Sequence, residues 1–292
     1  MAQLYGFDAY SPKEIAERIE KVGVTKARLP ILTTFTLGVL AGGFIGLGAL
    51  YFTLVTSDVG LSFGVSRVLG GVCFSLGLIL VVVAGAELFT GNNLLVMAWA
   101  ARRIGGAEVL RNWLVVFLAN AVGAVGLALV VVLSHHPDMN QGTVAQNTLK
   151  IAALKASLPF WEAFFKGVLC NVLVCLAVWL AMAGHSVTDK ILAIVFPISA
   201  FVAAGFEHSI ANLYFIPLGI LLRDATQGLS PEQLQALTWS GLLHNLTPVT
   251  LGNIVGGSGM VGLVYYLVYR HRAPEAAPGP GIPEAGLPQG GR

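Results

Sequence analysis

The sequence predicts an all-α membrane protein with six transmembrane helices, arranged as two halves of three helices each. Three observations predict this fold class. Only 11% of the 292 residues are charged and 55% are hydrophobic, six apolar segments are long enough to span a bilayer, and two of these segments carry matching polar interruptions. Soluble domains average about 25% charged residues, so the composition indicates a lipid environment. The formal net charge of +2 is too small to favour a nucleic-acid partner.

The six spans follow from length and hydropathy. A spanning helix needs about 20 apolar residues, because the hydrocarbon core is about 30 Å thick and each helical residue rises about 1.5 Å. The segments that qualify are 31–55, 65–100, 109–134, 160–184, 190–221 and 246–269. The second and fifth are too long for one straight span, and each contains a polar, glycine-containing interruption. We therefore expect helices 2 and 5 to be broken inside the membrane.

The two interruptions share one pattern, Gly-x-Glu followed by an asparagine five residues after the glutamate. It occurs at Glu87 and Asn92 and again at Glu207 and Asn212. The third and sixth spans share the intervals between two asparagines and a glycine, at Asn112, Asn120 and Gly123 and at Asn245, Asn253 and Gly256. Because three spans is an odd number, the second copy must enter the membrane upside down. Corresponding broken helices in inverted halves point to a transport site near the midplane.

The ends of the chain lie outside the six spans. In the N-terminal segment, 1–28, Ser11, Pro12 and Glu14 predict the start of an amphipathic helix with a capping box. Residues 29–272 form the transmembrane domain, and 273–292, rich in Pro, Gly and Ala, predict a disordered tail. Lysine and arginine are more frequent on the side that carries both termini, so the positive-inside rule places both in the cytoplasm.

Ionisable residues at the helix breaks indicate a functional site. Glu87, Glu207 and His208 lie at membrane depth, where an ionisable side chain is costly and marks a functional site by default. We expect the glutamates to brace the breaks through backbone N–H groups. The N-termini of the half-helices that follow favour an anion. The sequence has no Cys/His metal spacing and no paired-acid motif, so it predicts no cofactor, no metal and no enzyme.

Residues 85–92 and 205–212 resemble the two signature loops of the formate/nitrite transporter family. Residues 71–78, 169–171 and 250–253 match other stretches of that family, and the resemblance covers nearly all of 5–270. It implies an aquaporin-like fold assembled as a homopentamer in the inner membrane, with one pore in each protomer. It also implies transport of small monovalent anions, formate first, with nitrite and hydrosulfide as alternatives.

Carried over position by position, the resemblance assigns roles along the pore. Thr90 and His208 are expected to be the polar pair at its centre, and His208 is suited to hydrogen-bond a passing anion or to lend it a proton. Hydrophobic constrictions are expected at Phe74 and Phe201 on the periplasmic side and at Leu78, Leu88 and Phe89 on the cytoplasmic side. The other expected residues of the substrate pathway are Glu207, Lys155 at the outer mouth, and Asn171 and Asn253, which are expected at the pore side or in loop support. The residues expected to support the loops are Glu87, Asn92 and Asn212.

Other function classes make different demands on the sequence. An aquaporin-type pore for neutral solutes predicts twin Asn-Pro-Ala loops, and the chain has no Asn-Pro dipeptide. A proton-coupled secondary carrier would use the same His208, and the sequence does not separate it from a channel. An intramembrane enzyme would need a nucleophile beside a base, but His208 and Ser209 are neighbours on the chain and do not face one another. The expected partners are small anions, protons, membrane lipid and copies of the chain.

Overall fold

The computed structural model describes residues 9–57, 60–223 and 230–270, and the regular elements of these residues are helices. They contain six helical segments that are long and apolar enough to cross a membrane. The α-helices in chain order are α1 (Pro12–Ala27), α2 (Ile31–Thr56), α3 (Phe63–Ile79), α4 (Val96–Ala100), α5 (Gly106–Leu133), α6 (Thr143–Ala156), α7 (Phe160–Ala183), α8 (Val187–Ala204), α9 (Ser209–Leu222), α10 (Pro231–Ala236), α11 (Trp239–Ile254) and α12 (Val264–Tyr269).

Two spans consist of more than one element. Helix α3 continues through a π-helical segment, Leu80–Gly85, and α11 continues through another, Val255–Leu263, into α12. The sixth span begins at Trp239 rather than at residue 246, because Thr238 caps it by accepting the Gly241 N–H and the polar residues of its first turns lower its hydropathy. The sequence also did not predict α6, which lies between the third and fourth spans and has too little apolar length to cross a bilayer.

The chain leaves the helical conformation at the two interruptions. Residues 86–90 separate the end of the second span from a 3-10 helix, Gly91–Leu95, and residues 205–208 separate α8 from α9. Each break starts at a glycine in the left-handed region, Gly85 with φ +83° and Gly205 with φ +75°. Only glycine adopts this conformation without steric cost, so these two glycines allow both helices to end abruptly.

Glycines also allow close contact between the spans that form each half. A Cβ added at Gly123 on α5 would overlap the carbonyl oxygen of Val39 on α2, and one added at Gly256 would overlap the carbonyl oxygen of Val168 on α7. Small residues at such crossings let helix backbones approach each other in membranes. The two halves therefore use the same contact, between their first and third spans.

Replacing Gly123 with alanine is expected to destabilise the fold by about 1–3 kcal/mol, the usual cost of overpacking a closely packed site. The added methyl group has no room, because it meets rigid backbone rather than a flexible side chain. Gly126→Ala is the matched control on the same helix, since a Cβ there meets nothing within 4 Å. Thermal unfolding of the purified protein in detergent measures both variants, and equal melting temperatures would contradict the close-contact argument.

Helix α1 is fixed against the end of the last span. Its predicted capping box is present. The Glu14 carboxylate accepts the Ser11 hydroxyl at 2.7 Å and the Ser11 N–H at 2.8 Å, and these two bonds lower the pKa of Glu14. Buried Glu20 forms ion pairs with Arg103 and with Arg270, the latter at 2.8 Å. The N-terminal helix and the end of α12 therefore lie on the same side of the molecule. The predicted tail, 273–292, lies outside the described residues.

Candidate functional site

Two cavities enter the protein from opposite ends of α3 and α7. The α1 vestibule, of about 300 Å³, is lined by Lys26 and Gly85 among others, and the α6 vestibule, of about 340 Å³, is lined by Lys155 and Arg67 among others. From Arg67 to Gly85 the second span rises about 27 Å at about 1.5 Å per residue. This distance is close to the thickness of the hydrocarbon core, so the vestibules face opposite sides of the membrane.

A small chamber of about 10 Å³ lies between the vestibules. Leu78 and Leu88 line both the chamber and the α1 vestibule, whereas Phe74, Phe201 and His208 line both the chamber and the α6 vestibule. The two phenylalanine rings meet edge to face with their centroids 5.7 Å apart. A volume near 10–15 Å³ holds roughly one water molecule, so the path is narrow at this chamber. Leucines line its α1 side, and the phenylalanines and His208 line its α6 side.

His208 and Thr90 are in direct contact beside this chamber. The Nε2 atom of His208 lies 3.0 Å from Thr90 Oγ1, and its Nδ1 atom accepts the backbone N–H of Ala211 at 3.1 Å. Because Nδ1 is used as an acceptor, we assign the proton of the neutral ring to Nε2, which then donates to the Thr90 hydroxyl. Both ring nitrogens are therefore engaged, and the hydrogen of the Thr90 hydroxyl remains available as a donor.

The α1 vestibule contains a network built on buried Glu87. Its Oε1 pairs with Lys26 Nζ at 2.9 Å, and its Oε2 accepts from Asn92 Nδ2 at 2.7 Å. Asn92 Nδ2 also donates to Asn112 Oδ1 at 3.0 Å, and Asn112 Nδ2 reaches the carbonyl oxygen of Lys26 at 3.3 Å. Lys26 thus lines the vestibule with its ammonium group paired to the Glu87 carboxylate. Its backbone carbonyl oxygen is bonded to Asn112 of the third span.

The α6 vestibule repeats this network at Glu207. Its Oε1 pairs with Lys155 Nζ at 2.7 Å, and its Oε2 accepts from Asn212 Nδ2 at 2.7 Å. Asn212 Nδ2 donates to Asn245 Oδ1 at 2.7 Å, and Asn245 Nδ2 reaches the carbonyl oxygen of Lys155 at 2.8 Å. The two halves therefore match in contacts as well as in spacing, and each vestibule has one lysine held by one buried glutamate.

The glutamates do not brace the breaks through backbone N–H groups, which corrects one expectation. Their carboxylates bind lysine and asparagine side chains, and the backbone is held by asparagines from the third and sixth spans. Asn120 Oδ1 accepts the Phe89 N–H at 2.9 Å, and Asn253 Oδ1 accepts the Ser209 N–H at 3.0 Å. The Nδ2 of each donates to the carbonyl oxygen of the glutamate in the same break. Each amide satisfies a donor and an acceptor that the break would otherwise leave unpaired in the membrane.

Two asparagines expected at the pore side or in loop support, and one residue expected at a constriction, do not line the vestibules or the chamber. Asn253 lies behind the second break, as described above, and Asn171 donates from Nδ2 to the carbonyl oxygens of Thr90 and Asn253. Phe89 packs against Phe117 and Trp113, with centroids 5.1 and 6.2 Å away, rather than in the cytoplasmic constriction. Its N–H donates to Asn120 Oδ1 on α5, and Leu78 and Leu88 line the chamber without it.

Lys26 was missed among the candidate site residues, although the sequence carries a signal for it. The run Lys26-Ala27-Arg28-Leu29-Pro30 before the first span matches Lys155-Ala156-Ser157-Leu158-Pro159 before the fourth. The interval from Lys26 to Lys155 equals that from Gly38 to Gly167, which had already indicated the repeat. A search for pairs at this interval would have found Lys26. Arg67 was also missed; it lines the α6 vestibule and donates to the carbonyl oxygens of Val202 and Ala203 at the end of α8.

The sequence was compared with known families and structures. The model of the formate/nitrite transporter family matches residues 13–267. The chain belongs to the formate/nitrite transporter family. The formate channel FocA of Escherichia coli strain K12 is 42% identical over 272 residues, which are 90% of this chain and 95% of that protein.

Two further members of the family show similar agreement. A probable formate transporter of Methanothermobacter thermautotrophicus is 39% identical, over 89% of this chain and 97% of its own length. A solved structure described as a pentameric formate channel with formate bound superposes with a TM-score of 0.72 at 36% identity, covering 82% of this chain and 97% of that chain. The chain is therefore a multi-pass membrane protein of a family of channels and transporters, and it is not an enzyme.

Proposed function

We propose that the protein is a formate channel in which His208 and Thr90 form the polar midpoint of the pore. The observation that carries the proposal is the alignment of two lysine-bearing vestibules on one small chamber lined by His208. The names of the relatives support formate as the substrate. Nitrite and hydrosulfide are small anions of the same charge, and they are the alternatives that the transport assay must rank.

The vestibules select the sign of the charge, and the constrictions select size and hydration. Lys26 and Lys155 place a cation at the inner end of each vestibule, and a cation at the base of a low-dielectric cleft raises the local concentration of anions. Each lysine is paired with a glutamate, so each pair has little net charge. In the α6 vestibule Arg67, which donates to carbonyl oxygens, adds a positive charge. The leucine and phenylalanine constrictions then exclude hydrated ions, since apolar rings at a narrow point favour dewetting.

At the midpoint, the geometry favours hydrogen bonding over direct proton donation by a charged histidine. To become an imidazolium, His208 must take a proton on Nδ1 and give up the Ala211 N–H that it now accepts. A donor from Thr90 or from Nε2 of His208 satisfies an anion in the chamber without that loss. Proton-coupled import then requires a step in which the Ala211 bond opens, and the pH dependence of transport reports whether this step occurs.

Assembly and orientation complete the proposal. The pentameric state of the formate channel with formate bound supports a homopentamer with one pore in each protomer. The excess of lysine and arginine beside α1 and after α12 supports a cytoplasmic location for both ends, in an inner or plasma membrane. The α1 vestibule is then cytoplasmic, and the α6 vestibule faces the opposite side.

The test is solute flux in proteoliposomes of purified protein, with formate, nitrite, hydrosulfide, chloride and glycerol compared across a pH step. We expect rapid formate flux, slower chloride flux and no glycerol flux, because the vestibules carry cations and the constrictions are apolar. Faster nitrite or hydrosulfide flux would reassign the substrate within the family. Glycerol flux without anion flux would contradict the proposed role of the His208–Thr90 pair.

A further inference from the structure

The segment that carries Thr90 is held from the second half of the protein by a buried polar pair. Ser258 lies in the π-helical segment Val255–Leu263, and its Oγ is 2.9 Å from Asn93 Oδ1 and 3.0 Å from the Asn93 carbonyl oxygen. Asn93 Nδ2 in turn donates to the Phe89 carbonyl oxygen at 2.9 Å. Asn93 therefore links Ser258 directly to the peptide group that joins Phe89 to Thr90.

The opposite break lacks this pair, as the repeat makes clear. The interval that relates Glu87 to Glu207 places Leu213 at the position of Asn93, and the interval that relates Asn120 to Asn253 places Val125 at the position of Ser258. Apolar residues thus occupy the equivalent sequence positions in the other half, where α9 and α5 are regular α-helices. The repeat therefore does not require polar residues at these two positions.

The polar pair carries a cost that an apolar pair would not have. Buried polar groups cost free energy unless they are hydrogen-bonded, and a fully satisfied polar network fixes one arrangement where an apolar contact would tolerate several. Here the fixed group is the Phe89–Thr90 peptide. π-Helical segments also occur frequently at functional sites, and this one places Ser258 next to the 3-10 helix that follows Thr90.

We propose that Asn93 and Ser258 are positioning residues that hold the Thr90 hydroxyl against His208. The effect on transport rests on the proposed function above, whereas the effect on the loop does not. With the Ser258 hydroxyl removed, the Phe89–Thr90 peptide samples positions in which Thr90 leaves Nε2 of His208. The KM for formate is then expected to rise about two- to tenfold, the range that one buried hydrogen bond supplies.

The first measurement is hydrogen–deuterium exchange of the detergent-solubilised protein, wild type against Ser258→Ala. We expect faster exchange in residues 86–95 and unchanged exchange in residues 205–212, because only the first loop is held by the pair. Thr34→Val is the control, since it removes a buried hydroxyl that bonds only a carbonyl oxygen of its own helix start, Pro30. Unchanged exchange in 86–95 would overturn the proposal whether or not the protein carries formate.

The second measurement separates positioning from packing. The variant Asn93→Leu with Ser258→Val copies the apolar pair of the other half and is expected to assemble normally but to keep the raised KM. Ser258→Ala is also combined with Thr90→Val, where we expect no further rise in KM, because the two changes act through the same hydroxyl. A normal KM in the apolar-pair variant, or additive effects with Thr90→Val, would overturn the proposal. If wild-type protein carried no formate, the proposed function would fail, and the exchange experiment alone would decide the positioning role.

Discussion

Formate flux is expected to fall about 10- to 100-fold when His208 is replaced by alanine. This range corresponds to about 1.5–3 kcal/mol, the contribution of one hydrogen bond to a charged group, at about 1.4 kcal/mol per tenfold. His208 is the only ionisable side chain described as lining the central chamber, and its removal leaves an anion there without the Nε2 donor. Folding should lose about 0.5–2 kcal/mol, because His208 caps the start of α9 by accepting the Ala211 N–H.

Two variants make this experiment decisive. His208→Gln keeps an amide N–H that can reach Thr90, so it should retain more formate flux than His208→Ala. Because the amide does not titrate, the variant should lose any pH dependence of flux that the wild type shows. His135→Ala is the control, because His135 is exposed and bonds only exposed Asp138. Equal flux and equal pH profiles in wild type and His208→Ala would remove His208 from the transport pathway.

Replacing Lys155 with methionine is expected to lower the free energy of unfolding by about 3–5 kcal/mol, the cost of leaving one member of a buried ion pair without its partner. Lys155 and Glu207 have side-chain exposures of 16% and 5%. The remaining Asn212 bond satisfies only one oxygen of the Glu207 carboxylate. Unfolding of the solubilised protein with increasing denaturing detergent provides the measurement.

Lys166, which also lines the α6 vestibule, is the control for the Lys155 experiment. Lys166 pairs with Glu162 at 2.6 Å, but the two side chains are 33% and 48% exposed and four residues apart on one helix. Such pairs contribute about 0.3–0.5 kcal/mol, so Lys166→Met should be nearly neutral. Adding Glu207→Gln to Lys155→Met should recover much of the lost stability, because the unpaired charge is removed. Equal losses for Lys155→Met and Lys166→Met would contradict the buried-pair interpretation.

The two halves of the repeat carry different residues at one pair of equivalent positions beside the chamber. The interval between Glu87 and Glu207 places Leu88 and His208 at equivalent positions. The backbone carbonyl oxygen of each accepts the N–H of the asparagine four residues later, Asn92 or Asn212. Both side chains line the central chamber. The leucine lines the chamber with an apolar side chain, and the histidine lines it with a polar one. The two contacts come from equivalent positions that carry different residues.

The sequence alone predicted the six spans, the two breaks and the pairing of the halves. Hydropathy and glycine positions fix these features locally, because a break in a membrane helix needs a left-handed residue at its start and polar partners nearby. It also predicted Glu87, Glu207 and His208 as functional-site residues, because ionisable side chains are rare at membrane depth. The Gly-x-Glu pattern was sufficient to relate the two breaks before any contact was known.

The tertiary structure decided which polar residues face the path and which support it. Asn171 and Asn253 have the same residue type as Asn92, yet they hold carbonyl oxygens behind the loops, whereas Asn92 lines the α1 vestibule. Phe89 turns toward α5 because its N–H is bonded to Asn120, 31 residues further along the chain. Side-chain direction at a helix break depends on such long-range bonds, since the backbone there has no helical repeat to fix it. Sequence periodicity therefore determined where the breaks lie, and only the packed structure determined what they present to a passing ion.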